Sequence, residues 1–240
     1  MKACVIIPAR FKSSRFPGKP LALINGISML ERTYLQCKKA YDHKSIYVAT
    51  DDNRIVKFCK EKKINVIKTS KRCLTGTDRV AEVAKKIKAD TYINVQGDEP
   101  LFNPLDIKKL ISESKKNPSN ILCGYTPIKD KSLFFDSQIP KVVFDKKLNL
   151  LYMSRSPIPG NKKNKFDFAF RQVCAYSFPR KDLLTFSSLK NKSPLESSED
   201  LELLRFLELG KRIKMIKMSD VSISVDNPDD IKKVESKLTK

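Results

Sequence analysis

The 240-residue sequence predicts an α/β protein, a doubly wound and mostly parallel sheet with an inserted antiparallel lobe. Short β-branched apolar runs alternate with helical patterns through the first half, and the charged and small residues that bear chemistry fall in the loops just after those runs. Beyond about Pro127 the alternation gives way to strand-like segments joined by turns. A βαβ series followed by such a change specifies a crossover-connected sheet with an addition to it.

The strands of the first half read ACVIIPA, SIYVAT, INVIKT, TYINVQ and ILCGYT. Each is nearly continuously apolar, as a parallel sheet covered on both faces requires. Between them, SMLERTYLQCKKA, DNRIVKFCKEKK, GTDRVAEVAKKIK and NPLDIKKLISESKKN space apolar residues by three and four. They collect lysines toward their carboxyl ends, where the helix dipole favours cations. After Pro127 the segments KVVFD, LNLLYMS and RQVCAYSF suggest an antiparallel lobe at about residues 128–190, within a single domain spanning 1–240. A long helix pattern, PLESSEDLELLRFLEL, follows, then strands RIKMIKM and VSISV and a final helix opened by Asn-Pro in VDNPDDIKKVESKL. In a sheet of this kind ligands gather beyond the carboxyl ends of the strands.

The formal charge of +21 invites a nucleic-acid reading, yet lysine is spread through every segment without a clustered arginine stripe or interleaved aromatics. No specific nucleic-acid partner is expected. No stretch approaches the roughly 20 apolar residues of a membrane span, and the first residues run into strand-like sequence without a cleavable leader pattern. The expected location is therefore cytoplasmic, with no membrane partner. The six cysteines form no C-x-x-C pair and read as reduced thiols, neither metal-binding nor catalytic. His43 is the only histidine and sits in a loop pattern, so a histidine base is not expected.

Chemistry concentrates in four places. The first apolar run ends at Pro8, and Arg10, Lys12, Arg15 and Lys19 follow with two serines and Gly18. Cations and backbone N–H groups beyond a buried strand suit a polyphosphate, hence a nucleoside triphosphate, although a solvated basic loop has the same composition. YINVQ ends in Gln96, Gly97, Asp98, Glu99 and Pro100, where Asp98 is either a turn-capping residue or a metal ligand. Asp226 ends SISV before Asn-Pro, and it is either a helix cap or the second ligand of a Mg²⁺ pair. Thr50 and Asp51 in YVATDD, with Thr75, Gly76, Thr77 and Arg79 in TGTDR, offer small groups that let a base or ribose approach. Arg79 suits a phosphate and a carboxylate equally.

Together RFKSSRFPGKPL, YVATDD, TGTDR, NVQGDEP, SPLE with a downstream LR, and VDNP resemble the CMP-sugar-acid synthetases, most closely the 3-deoxy-manno-octulosonate (KDO) cytidylyltransferase family. The resemblance spans nearly the whole chain and implies a Rossmann-like nucleotidyltransferase fold. It implies transfer of CMP from CTP to a sugar acid, with Mg²⁺ as cofactor, for lipopolysaccharide synthesis. Arg10, Ser14, Arg15 and Lys19 would engage the triphosphate, Arg10 and Lys19 with catalytic roles and Arg15 also near the sugar acid. Thr75, Gly76 and Thr77 would read cytosine and ribose, and Gln96 would contact both substrates. Asp98 and Asp226 would ligate Mg²⁺. Lys141 and Arg155 would line the sugar-acid pocket, with Glu196 and Glu199 near the sugar hydroxyls. A homodimer built through the lobe is also implied, with LNLLYMS as a candidate contact.

Two positions depart from that family's pattern. Gln172 stands in Arg171–Cys174 where Arg-His is usual, and Leu203 stands in Glu202–Arg205 where the pattern has glutamine. Both fall on the sugar side implied by the resemblance, so 8-amino-KDO or another sugar acid is an alternative to KDO. A noncatalytic nucleotide-binding relative is the remaining alternative.

Overall fold

The computed structural model describes residues 1–12 and 15–238. Its elements in chain order begin with β1 (Ala3–Pro8), the short strands β2 (Leu23–Ile24) and β3 (Ile27–Ser28), and α1 (Met29–Ala40). Then come β4 (Ile46–Thr50), α2 (Asn53–Glu61), β5 (Val66–Lys68), α3 (Gly76–Lys86), β6 (Thr91–Val95), α4 (Pro104–Lys116) and β7 (Ile121–Pro127). The rest comprises α5 (Lys131–Phe135), β8 (Lys141–Phe144), β9 (Leu150–Ser154), β10 (Phe170–Pro179), α6 (Arg180–Phe186), α7 (Pro194–Glu199), α8 (Leu203–Glu208), β11 (Ile213–Lys217) and α9 (Asp230–Leu238).

Alternate residues of β1 decide the layering. Ala3, Val5 and Ile7 face α1, α2 and α4 through Leu30, Cys37, Ile55, Cys59, Ile107 and Leu110. Cys4 and Ile6 face α3, α6 and α8 through Val80, Val83, Phe186, Leu204 and Phe206. Strand side chains alternate across a sheet, so a strand covered on both faces must be apolar throughout, as ACVIIPA is.

The strand order is β11-β7-β10-β6-β1-β4-β5, with β8 pairing β10 and β9. β1 runs parallel to β4 and β6, β4 to β5, and β7 to β11, which is the doubly wound, mostly parallel architecture expected. β10 is the exception within this order, antiparallel to both β6 and β7. RQVCAYSF is thus antiparallel, but it lies in the middle of the main sheet instead of in a separate layer. The β8–β9 hairpin is what projects from it. No helix among the described residues is long and apolar enough to cross a membrane.

Three local readings change. PLESSEDLELLRFLEL is two helices, broken where Asp200 adopts a left-handed conformation with φ 50°. VSISV is not a strand. Val225 packs instead with Ile24, Met29 and Val234 in a small separate core, and its N–H donates to the Asp98 carbonyl at 3.0 Å. The β2–β3 hairpin, turned by Asn25 (φ 43°) and Gly26 (φ 75°), carries the Asn-Gly signal of a two-residue turn, a signal overlooked in the sequence.

Candidate active site

Parallel pairing brings the ends of β1, β4 and β6 to one rim, and the loop after β1 folds back across it. Ala9 N–H donates to the Ala49 carbonyl at 2.9 Å, extending the strand pairing to the edge of Arg10. The loop closes where Gly18 N–H donates to the Phe11 carbonyl at 2.9 Å. Gly18 has φ 75°, and a Cβ there would lie 3.2 Å from the Phe11 ring, so glycine suits both the conformation and the space. Phe11 is held from above by the Arg54 guanidinium, 3.3 Å from its ring centre. Lys19 then opens a single 3₁₀ turn with Pro20 and points back into the rim. Ser14 lies outside the described residues.

The turn after β6 presses against this loop. A Cβ on Gly97 would sit 2.8 Å from the Pro8 carbonyl oxygen, so only glycine lets the turn pass there. Asp98 Oδ2 lies 2.6 Å from Lys19 Nζ, which also donates to the Val225 carbonyl at 2.8 Å and lies 3.9 Å from Asp226 Oδ1. Arg15 reaches Asp226 Oδ1 at 2.9 Å and Gln138 Oε1 at 3.2 Å. Neither aspartate is spent as a helix cap: Asn103 caps α4, and Asp230 accepts the N–H groups of Asp226 and Asn227. Behind them Glu99 is buried and accepts the Ser222 hydroxyl. Burial pushes its pKa up to about 7, with the Asp98 and Asp226 charges acting in the same direction.

At the start of α3, Thr75 and Asp78 form a reciprocal capping box. This leaves Thr77 N–H free to donate to Glu202 Oε2 at 2.9 Å, while Gln96 Nε2 donates to Glu202 Oε1 at 3.3 Å. Burial raises the Glu202 pKa. Arg79, fully enclosed, pairs with Asp51 at 2.9 Å and donates to Thr69 Oγ1 at 2.7 Å. Of its two readings, the carboxylate is the one seen in this structure. Thr50 is buried, and its hydroxyl accepts the Asp52 N–H at 3.2 Å.

On the far side, three carbonyls hold the Arg155 guanidinium: Glu199 at 2.6 Å, Ser137 at 3.1 Å and Asp200 at 3.3 Å. Lys141 is fully buried beneath it, donating to the carbonyls of Arg155 at 2.6 Å and Asp136 at 2.9 Å, and burial lowers its pKa.

Arg10, Lys12, Arg15, Lys19, Gly76, Arg79, Gln96, Asp98, Arg155 and Asp226 thus surround one cleft of about 650 Å³. Other expected site residues stand behind its walls. Glu196 is fully buried with both oxygens on Arg205 at 2.6 Å, and Glu199 holds Arg155 without lining the cleft. Gln172 is buried and donates to the Tyr176 hydroxyl at 2.9 Å, and Leu203 is enclosed in the core. The two departures expected to mark the sugar therefore do not line the cleft. Lys141, Thr50, Asp51, Thr75 and Thr77 also support the wall without lining it. Two contributors were missed in the sequence: Asp200, which lines the cleft, and Glu202, whose partners are remote in the chain. A wider concavity of about 860 Å³ opens near Lys2, Asp90, Asn120 and Arg212, at the amino ends of the parallel strands. Its Asp182 is already paired with Lys211 at 2.9 Å, and it lacks the converging aspartates of the other cleft.

Residues 4–213 match the family model described as Cytidylyltransferase. The chain belongs to the cytidylyltransferase family. Its relatives include a 3-deoxy-manno-octulosonate cytidylyltransferase of Protochlamydia amoebophila, 41% identical, with 98% of this chain and 93% of that protein covered. An 8-amino-3,8-dideoxy-manno-octulosonate cytidylyltransferase of Shewanella halifaxensis is 37% identical, with 99% of both chains covered. Among solved structures, a CMP:2-keto-3-deoxy-manno-octonic acid synthetase complexed with CTP superposes with a TM-score of 0.92 at 33% identity, covering 100% of this chain and 99% of that one. For this cytidylyltransferase, the cationic loop and the two aspartates therefore lie at the strand ends of a fold it shares with a CTP-bound structure.

Proposed function

We propose that the protein transfers CMP from CTP to the anomeric hydroxyl of KDO, releasing pyrophosphate. The observation that carries this reading is the convergence of Asp98 and Asp226 on Lys19, at the rim where the cationic loop meets the strand ends. Family membership supports the nucleotide, and the full-length similarity to proteins named for KDO supports the acceptor.

Arg10, Lys12 and Lys19 bind the triphosphate and offset the charge that develops on the departing pyrophosphate. Gln96 and the Thr75–Thr77 turn, braced by Glu202, bound the nucleoside end. Arg155 and Arg15 take the sugar carboxylate, held in place by the carbonyls and side chains named above. The sugar oxygen forms its bond to the α-phosphorus as the bond to pyrophosphate breaks, and the hydroxyl proton leaves to solvent. Alignment accounts for most of the catalysis, and no side-chain nucleophile takes part. The cysteines agree with this: burial pushes Cys4 and Cys59 up to about 12, far from a reactive thiolate.

The donor set fits Mg²⁺, which takes one or two carboxylates with substrate phosphates and waters instead of a full protein cage. Asp98 and Asp226 are hard oxygen ligands already gathered around one cation, and no larger metal-ligating cluster exists among the described residues. When bound, the ion polarises the phosphate oxygens and orients the leaving group.

The same reading includes a homodimer through the β8–β9 hairpin, where Leu151 is 62% exposed. It places the enzyme in the cytoplasm, supplying activated sugar for lipopolysaccharide. The test is pyrophosphate release with Mg²⁺ and a panel of KDO, 8-amino-KDO and sialic acid against CTP, UTP and ATP. Turnover confined to CTP with KDO is expected, and preference for another acceptor would overturn the choice of sugar.

A further inference from the structure

Lys19 occupies the point on which the two aspartates converge. Its ammonium makes contacts of 2.6 Å to Asp98 and 2.8 Å to the Val225 carbonyl, with Asp226 at 3.9 Å. Its side chain is 14% exposed, against 28% and 32% for Asp98 and Asp226, so the cation sits deeper than the anions that hold it. Two carboxylates facing one space repel each other unless a cation lies between them, and here the chain provides that cation itself.

We propose that Lys19 is an internal stand-in for the divalent ion, excluding it from the Asp98–Asp226 pair until a nucleotide triphosphate draws the ammonium away. The inference rests on the Mg²⁺ reading of that pair given above. An incoming divalent ion must displace the ammonium from Asp98, and at Asp226 it meets Lys19 at 3.9 Å beside Arg15, which is paired there at 2.9 Å. The neighbouring cleft side chains Arg10, Lys12 and Arg15 are also cationic, and the acidic Asp200 is already paired with Lys192 at 2.5 Å. A triphosphate bound along those cations brings its negative oxygens beside Lys19.

The exchange needs only a side-chain movement. Gly18 and Pro20 fix the backbone around Lys19, while its four-carbon stem can swing the ammonium from carboxylate to phosphate. Metal and nucleotide are then coupled through one lysine, and each must tighten the other by the same factor. Lys19 is thus a positioning residue that sets the order of loading in addition to its contact with phosphate.

Mn²⁺ titration of the full chain, read by water-proton relaxation so that protein-bound ion is distinguished from ion on free CTP, tests this without any acceptor or turnover. Lys19→Met should bind Mn²⁺ in the absence of nucleotide about tenfold or more tightly than the parent, the size usual for coupled sites. CTP should then improve Mn²⁺ binding less in the variant than in the parent. Unchanged or weaker nucleotide-free binding by folded Lys19→Met overturns the inference. If that variant does not fold, Lys19→Gln removes the charge while keeping a donor for the Val225 carbonyl, and it gives the same two readings. Asp98→Asn separates the metal site from the role of Lys19. Retention of tight Mn²⁺ binding with CTP in Asp98→Asn would overturn the metal reading of the pair. Loss there, together with parent-like behaviour of the lysine variants, would overturn only the role given to Lys19.

Discussion

Glu199 grips Arg155 at both ends: its carboxylate accepts the Arg155 backbone N–H at 2.8 Å, and its own carbonyl accepts the guanidinium Nε at 2.6 Å. The same carboxylate accepts the Ser154 hydroxyl at 2.6 Å. The end of β9 and the end of α7 are thereby joined behind one wall of the cleft, and Glu199, which does not line it, helps set the direction of the guanidinium.

Glu199→Ala should therefore act on the sugar acid and spare the nucleotide. The KM for KDO should rise by about tenfold or more, because small misplacements of a positioning group are costly. The KM for CTP should stay near the parent value. Steady-state kinetics with each substrate varied in turn checks this, and an equal effect on both would contradict it.

Arg205 is fully buried, paired with both oxygens of Glu196 at 2.6 Å and with Asp78 at 3.0 Å, and stacked 3.8 Å from the centre of the Phe186 ring. Arg205→Met strands two carboxylates without their cation and should cost about 3–5 kcal/mol in unfolding free energy. Urea denaturation reads this directly. A loss under about 1 kcal/mol, the scale of an exposed pair, would show that the network is solvated.

Glu202 gives a pH dependence with a definite sign. Burial raises its pKa on folding, so the native state holds its proton more tightly than the unfolded chain does. The stability it contributes is greatest at low pH and declines as pH climbs from the ordinary glutamate value through the raised one. Glu202→Gln does not titrate. Its stability relative to the parent should improve as pH rises above the ordinary glutamate value, measured by urea denaturation at each pH. A constant difference across that range would contradict the burial of Glu202 as the cause.

How far the site was legible depended on the range of the contacts involved. β1, β6 and the loops after them could be read because a strand buried on both faces must be apolar and must stop where polar groups begin. Asp98 fell at such a boundary. Asp226 was located by the same logic but for a different reason in space: VSISV is no strand, and Val225 brings Asp226 to Asp98 through a small core and one backbone hydrogen bond. Glu202 was invisible as a site residue because its partners, Thr77 and Gln96, lie 125 and 106 positions away. Gln172 and Leu203 misled for the opposite reason, since a departure from a motif says nothing about whether the side chain faces a ligand or the core.

Leu203→Gln tests that last point. The change restores the polar residue usual in the family pattern but places an amide in a fully enclosed apolar site. It should destabilise the protein by about 1–3 kcal/mol and leave the preference among sugar acids unchanged. A switch in acceptor preference would return this position to the substrate pocket.

The most direct test of the central claim is ³¹P NMR of the purified protein with CTP, KDO and Mg²⁺. The account predicts that CTP signals are replaced by a CMP-KDO phosphodiester and pyrophosphate in equal amounts, and that Asp98→Asn, still folded, loses about a hundredfold or more of the rate. Pyrophosphate without the sugar phosphodiester, or no conversion of CTP by the folded parent protein, would contradict it.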